Sequence, residues 1–305
     1  MRVSIMGQAA FGEAVLRRLL DDGVEIAGIS APAPRDSVRA DALWAAAVAA
    51  QLPAIDTAAL KDAEGLGEWQ ALDADLCVMA FVTEILPAEA FAAAARGTIQ
   101  YHPSLLPLHR GSAAINWAII NGETETGLTI FWPDKGIDTG PVLLQKRCAI
   151  GPEDTVGSLY FERLFPMGIE AIAEAVSIVG AGDAPRIPQD HARATYEPPC
   201  SDGHAEIQWH AEARRLHALV RGCNPQPGAW TMHAAQRLRI FDCRLSSEGE
   251  PGMPGRVLHI DDDGFDLRLN GGVLRVLRVQ VEGQKKQPAA EWARAVNLAV
   301  GFRFR

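Results

Sequence analysis

The sequence predicts a doubly wound, mostly parallel α/β sheet followed by a small antiparallel β-barrel. Three observations carry this. Over residues 1–200, short apolar runs alternate with helical patterns, the βαβα rhythm of a parallel sheet. Gly, Pro and Asp then cluster at 180–202, where Pro185, Pro188, Pro198 and Pro199 mark a connector. Beyond it, short strand patterns are separated by hairpin-turn sequences. At 305 residues, 48% apolar and 22% charged, the composition is ordinary for a globular protein. The length exceeds what one core usually serves, so two domains are expected, 1–203 and 204–305.

The elements follow in order. Residues 2–6 and 24–30 read as strands. Between them 12–21 reads as a helix, with Val15, Leu16, Leu19 and Leu20 on one side. An Ala-rich helix is expected at 41–50, a buried strand at 75–80 (DLCVMA), a helix at 88–95 and a strand at 97–101. Strands at 128–132 and 142–148 have only 133–141 between them. That is too short for a crossover helix, so they are expected to pair antiparallel. A long helix is expected over 154–179, with Asp154 or Thr155 as N-cap. After the connector come a helix at 210–220 and strands at 238–245, 255–260, 264–269 and 272–281. The turns DDDG (261–264) and NGG (270–272) are good hairpin material.

Net charge is −9, unevenly spread: −13 over 1–203 and +4 over 204–305. An acidic first domain is a poor general binder of phosphate backbones. The five Cys are spaced by 20 positions or more, which gives no CxxC or zinc-like pairing. No signal-peptide pattern opens the chain, and the apolar helical stretch at 42–50 is too short to span a bilayer. A soluble, cytoplasmic protein without a membrane partner is expected.

Gly7-Gln-Ala-Ala-Phe-Gly12 has Ala9 where a dinucleotide fingerprint has its second glycine, so nicotinamide binding is not expected. The most informative stretch is YHPSLLPLHRGSAAINW (101–117), which starts at the end of a predicted strand. In open α/β sheets ligands sit at the carboxyl ends of strands. His102 stands there as a candidate acid or base, and a histidine needs a partner to set its tautomer and charge. Asp138, in WPDKGIDTG (132–140), is a candidate partner. Alternatively, Asp134 and Asp138 make Asx-type turn bonds. Spacing alone leaves that choice open.

YHPSLLPLHRGSAAINW followed by GLTIFWPDKGIDTGPVLLQK (127–146) resembles the 10-formyltetrahydrofolate-dependent formyltransferase superfamily. Within it the likeness is strongest to the N-terminal hydrolase domain of 10-formyltetrahydrofolate dehydrogenase. MGQAAFG (6–12), LFPMGI (164–169) and PGAW (227–230) extend the likeness over nearly the whole chain. The resemblance implies a Rossmann-like domain followed by an OB-like domain. It implies 10-formyltetrahydrofolate as formyl donor, with His102 as the catalytic histidine and Asp138 as the essential acid. It also implies folate contacts from Ser104, Leu105, Leu106 and Pro107, and a pterin pocket lined by 81–87 with Glu84, Ile85 and Leu86 at the contact positions. The chemistry needs no metal.

The sequence departs from the family at one catalytic position. The transferases carry Asn two residues before the histidine, and this chain has Gln100. Gln keeps an amide donor on a side chain longer by one methylene, so Gln100 is a candidate oxyanion donor from a shifted position; alternatively it is a neutral strand residue pointing away. The expected acceptor is a small-molecule amine or hydroxylamine, with water as the alternative. Methionyl-tRNA ranks below both. The tRNA enzymes carry a lysine-rich insertion after the second strand, and the stretch 31–40 here has only Arg35 and Arg39.

Overall fold

The computed structural model describes residues 1–35, 39–246 and 252–305. Part of the 31–40 stretch therefore lies outside the described residues. The chain divides into two compact units. One comprises Met1–Ser112, Gly127–Cys148 and Glu162–Tyr196; the other comprises Ala113–Thr126, Ala149–Phe161 and Glu197–Arg305. The last change of unit falls between Tyr196 and Glu197, inside the connector. The connector's first part, up to Tyr196, packs with the first unit, and two short internal segments pack with the second.

In chain order the elements are β1 (Arg2–Gly7), α1 (Ala9–Asp21), β2 (Glu25–Ala31), α2 (Ala42–Ala49), β3 (Ala54–Asp56), α3 (Ala63–Ala71), β4 (Leu76–Ala80), α4 (Ala88–Phe91) and β5 (Thr98–His102). Then come α5 (Ala114–Ile120), β6 (Glu125–Phe131), β7 (Val142–Ala149), α6 (Val156–Leu159) and α7 (Phe165–Ala181). The seven strands form one sheet in the order β3-β2-β1-β4-β5-β6-β7. From β3 to β5 every neighbour is parallel. β6 runs antiparallel to β5, with Gln100 opposite Phe131 and His102 opposite Thr129. A Cβ on Gly127 would meet the Lys146 carbonyl, and Trp132 N–H donates to the Pro141 carbonyl. One number rises as the other falls, so β6 and β7 are antiparallel, as their short connection predicts.

Strand alternation builds two cores, one on each face of the sheet. Val3, Ile5, Val78, Ile99 and Tyr101 point to the face packed with Val15, Leu16 and Leu19 of α1 and Ala171, Ile172 and Val176 of α7. Met6, Cys77 and Met79 point to the other, with Leu60, Trp69, Leu86 and Ala90. Truncating one such Leu or Ile to Ala costs about 2–5 kcal/mol. Burial pushes the Cys77 thiol up to about 12, so it is an inert core group.

Several elements depart from expectation for local reasons. The helix expected over 154–179 is broken: a capping box of Thr155 and Ser158 starts α6, and a π-helical turn, Tyr160–Leu164, precedes α7. Pro166, with no N–H to donate, stands at the start of α7. Within Val156–Ala181 a window of mean hydropathy 1.5 is long and apolar enough to cross a membrane by length and composition alone, which the shorter 42–50 is not. Its α7 face is core. α4 is a single turn rather than an eight-residue helix, and Gly97, at φ +93°, turns the chain into β5. β3 and α3 carry too few patterned residues to stand out.

In the second unit, α8 (Ala213–Gly222) is followed by β8 (Ala229–His233), β9 (Gln236–Ile240), β10 (Cys243–Ser246), β11 (Val257–Ile260), β12 (Phe265–Leu269), β13 (Gly272–Val276), β14 (Arg278–Val281), β15 (Gln287–Pro288) and α9 (Ala289–Ala295). The strands form two four-stranded antiparallel sheets, β10-β13-β12-β11 and β15-β14-β9-β8, over a shared core. The strands expected at 238–245 and 272–281 each break once, where the chain passes from one sheet to the other. The two crossings are bonded together, with Leu277 N–H donating to the Asp242 carbonyl at 2.8 Å and Phe241 N–H to the Arg278 carbonyl at 3.1 Å. α5 packs on α8 in this unit. Gly222 permits the approach: a Cβ there would fall 2.5 Å from Ile120 Cγ1 and 2.9 Å from the Asn116 carbonyl oxygen.

Candidate active site

The sheet's strand order reverses between β1 and β4, the position where open α/β sheets bind ligands at their carboxyl ends. β1 and β4 approach closely there, since a Cβ on Gly7 would meet the Ala80 carbonyl at 2.3 Å. β5 is the next strand, and His102 is its last residue. Ile99 and Tyr101 enter the core beneath α1 and α7. By alternation, Gln100 and His102 share the opposite face.

The chain after His102 is stitched rather than free. Ser104 Oγ donates to the Leu108 carbonyl at 2.6 Å, and Thr129 Oγ1 donates to the Ser104 carbonyl at 2.7 Å. Leu106 N–H donates to Thr129 Oγ1 at 3.1 Å, and Gln145 Nε2 donates to the Leu106 carbonyl at 2.8 Å. Ser104 and Leu106 are buried, and Leu105 and Pro107 are half-buried. The Ser104 hydroxyl proton is thus spent inside the loop.

His102 is buried between two non-glycine residues in the left-handed region, His109 at φ +55° and Asp138 at φ +54°. Such residues cost of order 1–3 kcal/mol each and persist only where surroundings hold them. His102 Nε2 lies 2.8 Å from the His109 carbonyl oxygen. A carbonyl only accepts, so Nε2 carries the proton. Nδ1 faces Asp138 Oδ2 at 3.5 Å. Burial pulls the imidazole below its ordinary value, and the Asp138 carboxylate pushes it part of the way back. The resting ring is therefore neutral at pH 7, with a bare Nδ1 beside a carboxylate. That combination takes up a proton and stabilises the resulting cation.

Asp138 is buried at 9% exposure. Its Oδ2 accepts from Gly111 N–H at 2.8 Å, so its carboxylate reaches out of its own turn. The Asx-type bonding belongs to Asp134, whose Oδ1 accepts from Gly136 N–H at 3.0 Å and from the Thr139 hydroxyl. The alternative that both acids serve the turn is thus corrected for Asp138. Gly140 is required here, since a Cβ would fall 1.8 Å from the Trp132 carbonyl oxygen.

Gln100 is half-buried at the centre of β5, opposite Met79 and Phe131. The segment 81–87 leaves the carboxyl end of β4. Ile85 is 91% exposed, Leu86 lies in the core at 6%, and the Glu84 carboxylate pairs with the Lys61 ammonium. Only Ile85 of these three presents a free side chain. The side chain of Leu86 is spent on packing, so any ligand contact there comes from its backbone.

Sequence reasoning missed the residues that hold Asp138. Gln189, in the stretch read as a connector, donates from Nε2 to the carbonyls of Asp138 at 2.9 Å and Gly140 at 2.7 Å. Thr195 Oγ1 accepts from His109 N–H at 2.8 Å. Arg110, 2% exposed, donates to Gln189 Oε1 from Nη2 at 2.6 Å and from Nε at 3.2 Å. The one available signal was composition: RIPQDHARATY (186–196) carries more hydrogen-bonding side chains than a spacer needs.

Residues 1–176 match the family described as formyl transferase, and residues 200–297 match the formyl transferase C-terminal domain. Cytosolic 10-formyltetrahydrofolate dehydrogenase of Xenopus tropicalis is 36% identical over 98% of this chain and 35% of its own length. The chain thus spans about a third of that relative. Methionyl-tRNA formyltransferase of Moorella thermoacetica is 35% identical over 99% of this chain and 98% of that protein. Among solved structures, HypX from Aquifex aeolicus in complex with tetrahydrofolic acid superposes with a TM-score of 0.71 at 18% identity, over 98% of this chain and 48% of that one. At that identity the likeness speaks for the fold.

Proposed function

The chain belongs to the formyl transferase family, and on that premise we propose that it moves the formyl group of 10-formyltetrahydrofolate to a small-molecule amine or hydroxylamine. The observation that carries the reading is the buried His102–Asp138 pair at the carboxyl end of β5. Gln100 adds an amide two residues away on the same face.

The chemistry follows from those groups. The neutral nitrogen of the acceptor attacks the formyl carbon, forming the new C–N bond and placing negative charge on the formyl oxygen. A donor preorganised around that oxygen lowers the barrier, and the Gln100 amide supplies it. The attacking nitrogen must shed a proton. His102 Nδ1 takes it, Asp138 stabilises the imidazolium, and the proton passes to N10 as the old C–N bond breaks. Tetrahydrofolate and the N-formyl product leave, and the imidazole is neutral again. Ile85 supplies an exposed apolar side chain for a flat ring, and Ser104–Pro107 contribute backbone.

Hydrolysis is the second reading, favoured by the likeness to the dehydrogenase over 98% of this chain. Water then replaces the amine at the same centre. Incubation with 10-formyltetrahydrofolate, alone and with a panel of amines, hydroxylamines or methionyl-tRNA, separates the cases. Formyl recovered on an amine only when that amine is present supports transfer. Acceptor-independent release of formate supports hydrolysis and removes the first reading. Formyl found only on methionyl-tRNA removes both.

A further inference from the structure

Asp138 is held in an unfavourable backbone conformation, and the group that holds it comes from a part of the chain outside the motif. Gln189 Nε2 donates to the carbonyls of both Asp138 and Gly140, so one carboxamide spans the turn that carries the carboxylate. From the geometry we infer that Gln189 is a positioning residue for the Asp138 carboxylate and that Arg110 sets the orientation of its amide. The inference rests on the reading of His102 and Asp138 as the reacting pair.

The two ends of a carboxamide look alike, and only its partners decide which way it points. Arg110 settles it. A guanidinium has no acceptor, so the atom facing Nε and Nη2 of Arg110 must be Oε1. The NH2 group is then forced toward the turn, where both neighbours are carbonyls that can only accept. No other orientation satisfies all four contacts.

Arg110 is itself fixed. Among the described residues its side-chain partners are Gln189 Oε1, His191 Nδ1 at 3.1 Å and the Tyr196 hydroxyl, with the Tyr196 ring centroid 5.1 Å from Cζ. None is a carboxylate. A buried cation without an anionic partner is costly and is retained only where its donors are satisfied. The residue that follows Arg110 is Gly111, whose N–H donates to Asp138 Oδ2. Arg110 and Gln189 thereby tie the backbone of Asp138 to the strand of chain that binds its carboxylate.

The test exploits the two ends of the amide. Gln189→Glu keeps an acceptor for Arg110 and loses the donor to both carbonyls; Gln189→Met loses both. Thermal unfolding, kcat, KM for 10-formyltetrahydrofolate and the 15N resonances of the His102 ring are measured on the full chain. The expected result for Gln189→Glu is an unchanged unfolding midpoint and KM with kcat reduced about 10- to 100-fold, the scale of a misplaced catalytic group. The His102 Nδ1 resonance moves in both variants. A Gln189→Glu protein with unchanged kcat overturns the inference, as does a loss of activity that only follows loss of folded protein. If Gln189→Glu does not fold, Gln189→Met decides by the same readings. If the unsubstituted chain does not consume 10-formyltetrahydrofolate, the functional reading fails. The His102 resonances then decide alone: an unmoved Nδ1 signal overturns the positioning role, and a shifted one supports it.

Discussion

Each unit of this protein contains a buried histidine held below its ordinary pKa, and the two differ in nearly everything else. His102 ends a strand, lies between two left-handed residues, and faces a carboxylate that is itself buried. His217 sits inside the regular helix α8, 6% exposed, with Glu153 at 3.7 Å. That glutamate side chain is 58% exposed. Burial lowers both rings. Asp138 pushes His102 back up, whereas Arg221 pushes His217 further down, to about 4. The charged form of His102 thus has a buried carboxylate to stabilise it, whereas that of His217 has a neighbouring cation against it. A depressed histidine alone is not a candidate reaction centre; an opposing buried carboxylate on strained backbone makes His102 one.

The comparison breaks first at Asp138. Asp138→Asn keeps the size and removes the charge, and turnover of 10-formyltetrahydrofolate is expected to fall about 10²- to 10⁴-fold. Single-turnover rates at saturating substrate check this, with His102→Ala expected on the same scale. Undiminished turnover in either variant removes that residue from the mechanism. The acid limb of any residual activity in Asp138→Asn moves to lower pH, because the group that raises the His102 pKa is gone.

His217 should respond in stability and not in rate. Its folded-state pKa lies below its unfolded one, so the neutral form is favoured in the fold. The contribution is complete above about 6.5 and is lost as pH falls toward about 4. Denaturant unfolding at pH 7 and pH 4 should show that dependence flattened in His217→Leu, with turnover unchanged. A variant as acid-sensitive as the parent would assign the effect to other groups.

Gln100 sharpens the picture on the His102 side. Gln100→Leu removes the amide on the strand face and is expected to lower kcat about 100-fold, the scale of one oxyanion donor. Gln100→Asn should instead alter the partition between amine and water. An intact rate in the first and an intact partition in the second would place the oxyanion elsewhere. The smallest effect is expected at Ile85, whose side chain is 91% exposed. Ile85→Ser should leave the melting point where it is and raise KM for the folate about threefold to tenfold, the scale of burying about half of one aliphatic side chain.

The comparison also explains what could be read from the sequence. Val3, Ile5, Leu76 and Val78 announced their strands because burial on both faces makes the run continuously apolar. His102 and Asp138 stood out as residue types at a strand end and in a turn. Their pairing did not, because 36 positions separate them and register across β5, β6 and β7 brings them together. The role of Gln189 was invisible for the same reason. It acts through main-chain carbonyls, which every residue has, so nothing in the identities of residues 138 and 140 asks for it. β3 and the α5–α8 contact were missed because three residues and seven residues leave little periodicity to detect.

Ile85 carries one more consequence, and it is thermal. An isoleucine kept in water at the end of β4 orders solvent in the free protein. A planar ligand laid over it releases that solvent, so binding should carry a negative heat-capacity change. The enthalpy of folate binding then grows more favourable as temperature rises, while the affinity itself changes little. Titration calorimetry at several temperatures reads that slope directly, and replacing Ile85 by Ser should make it shallower.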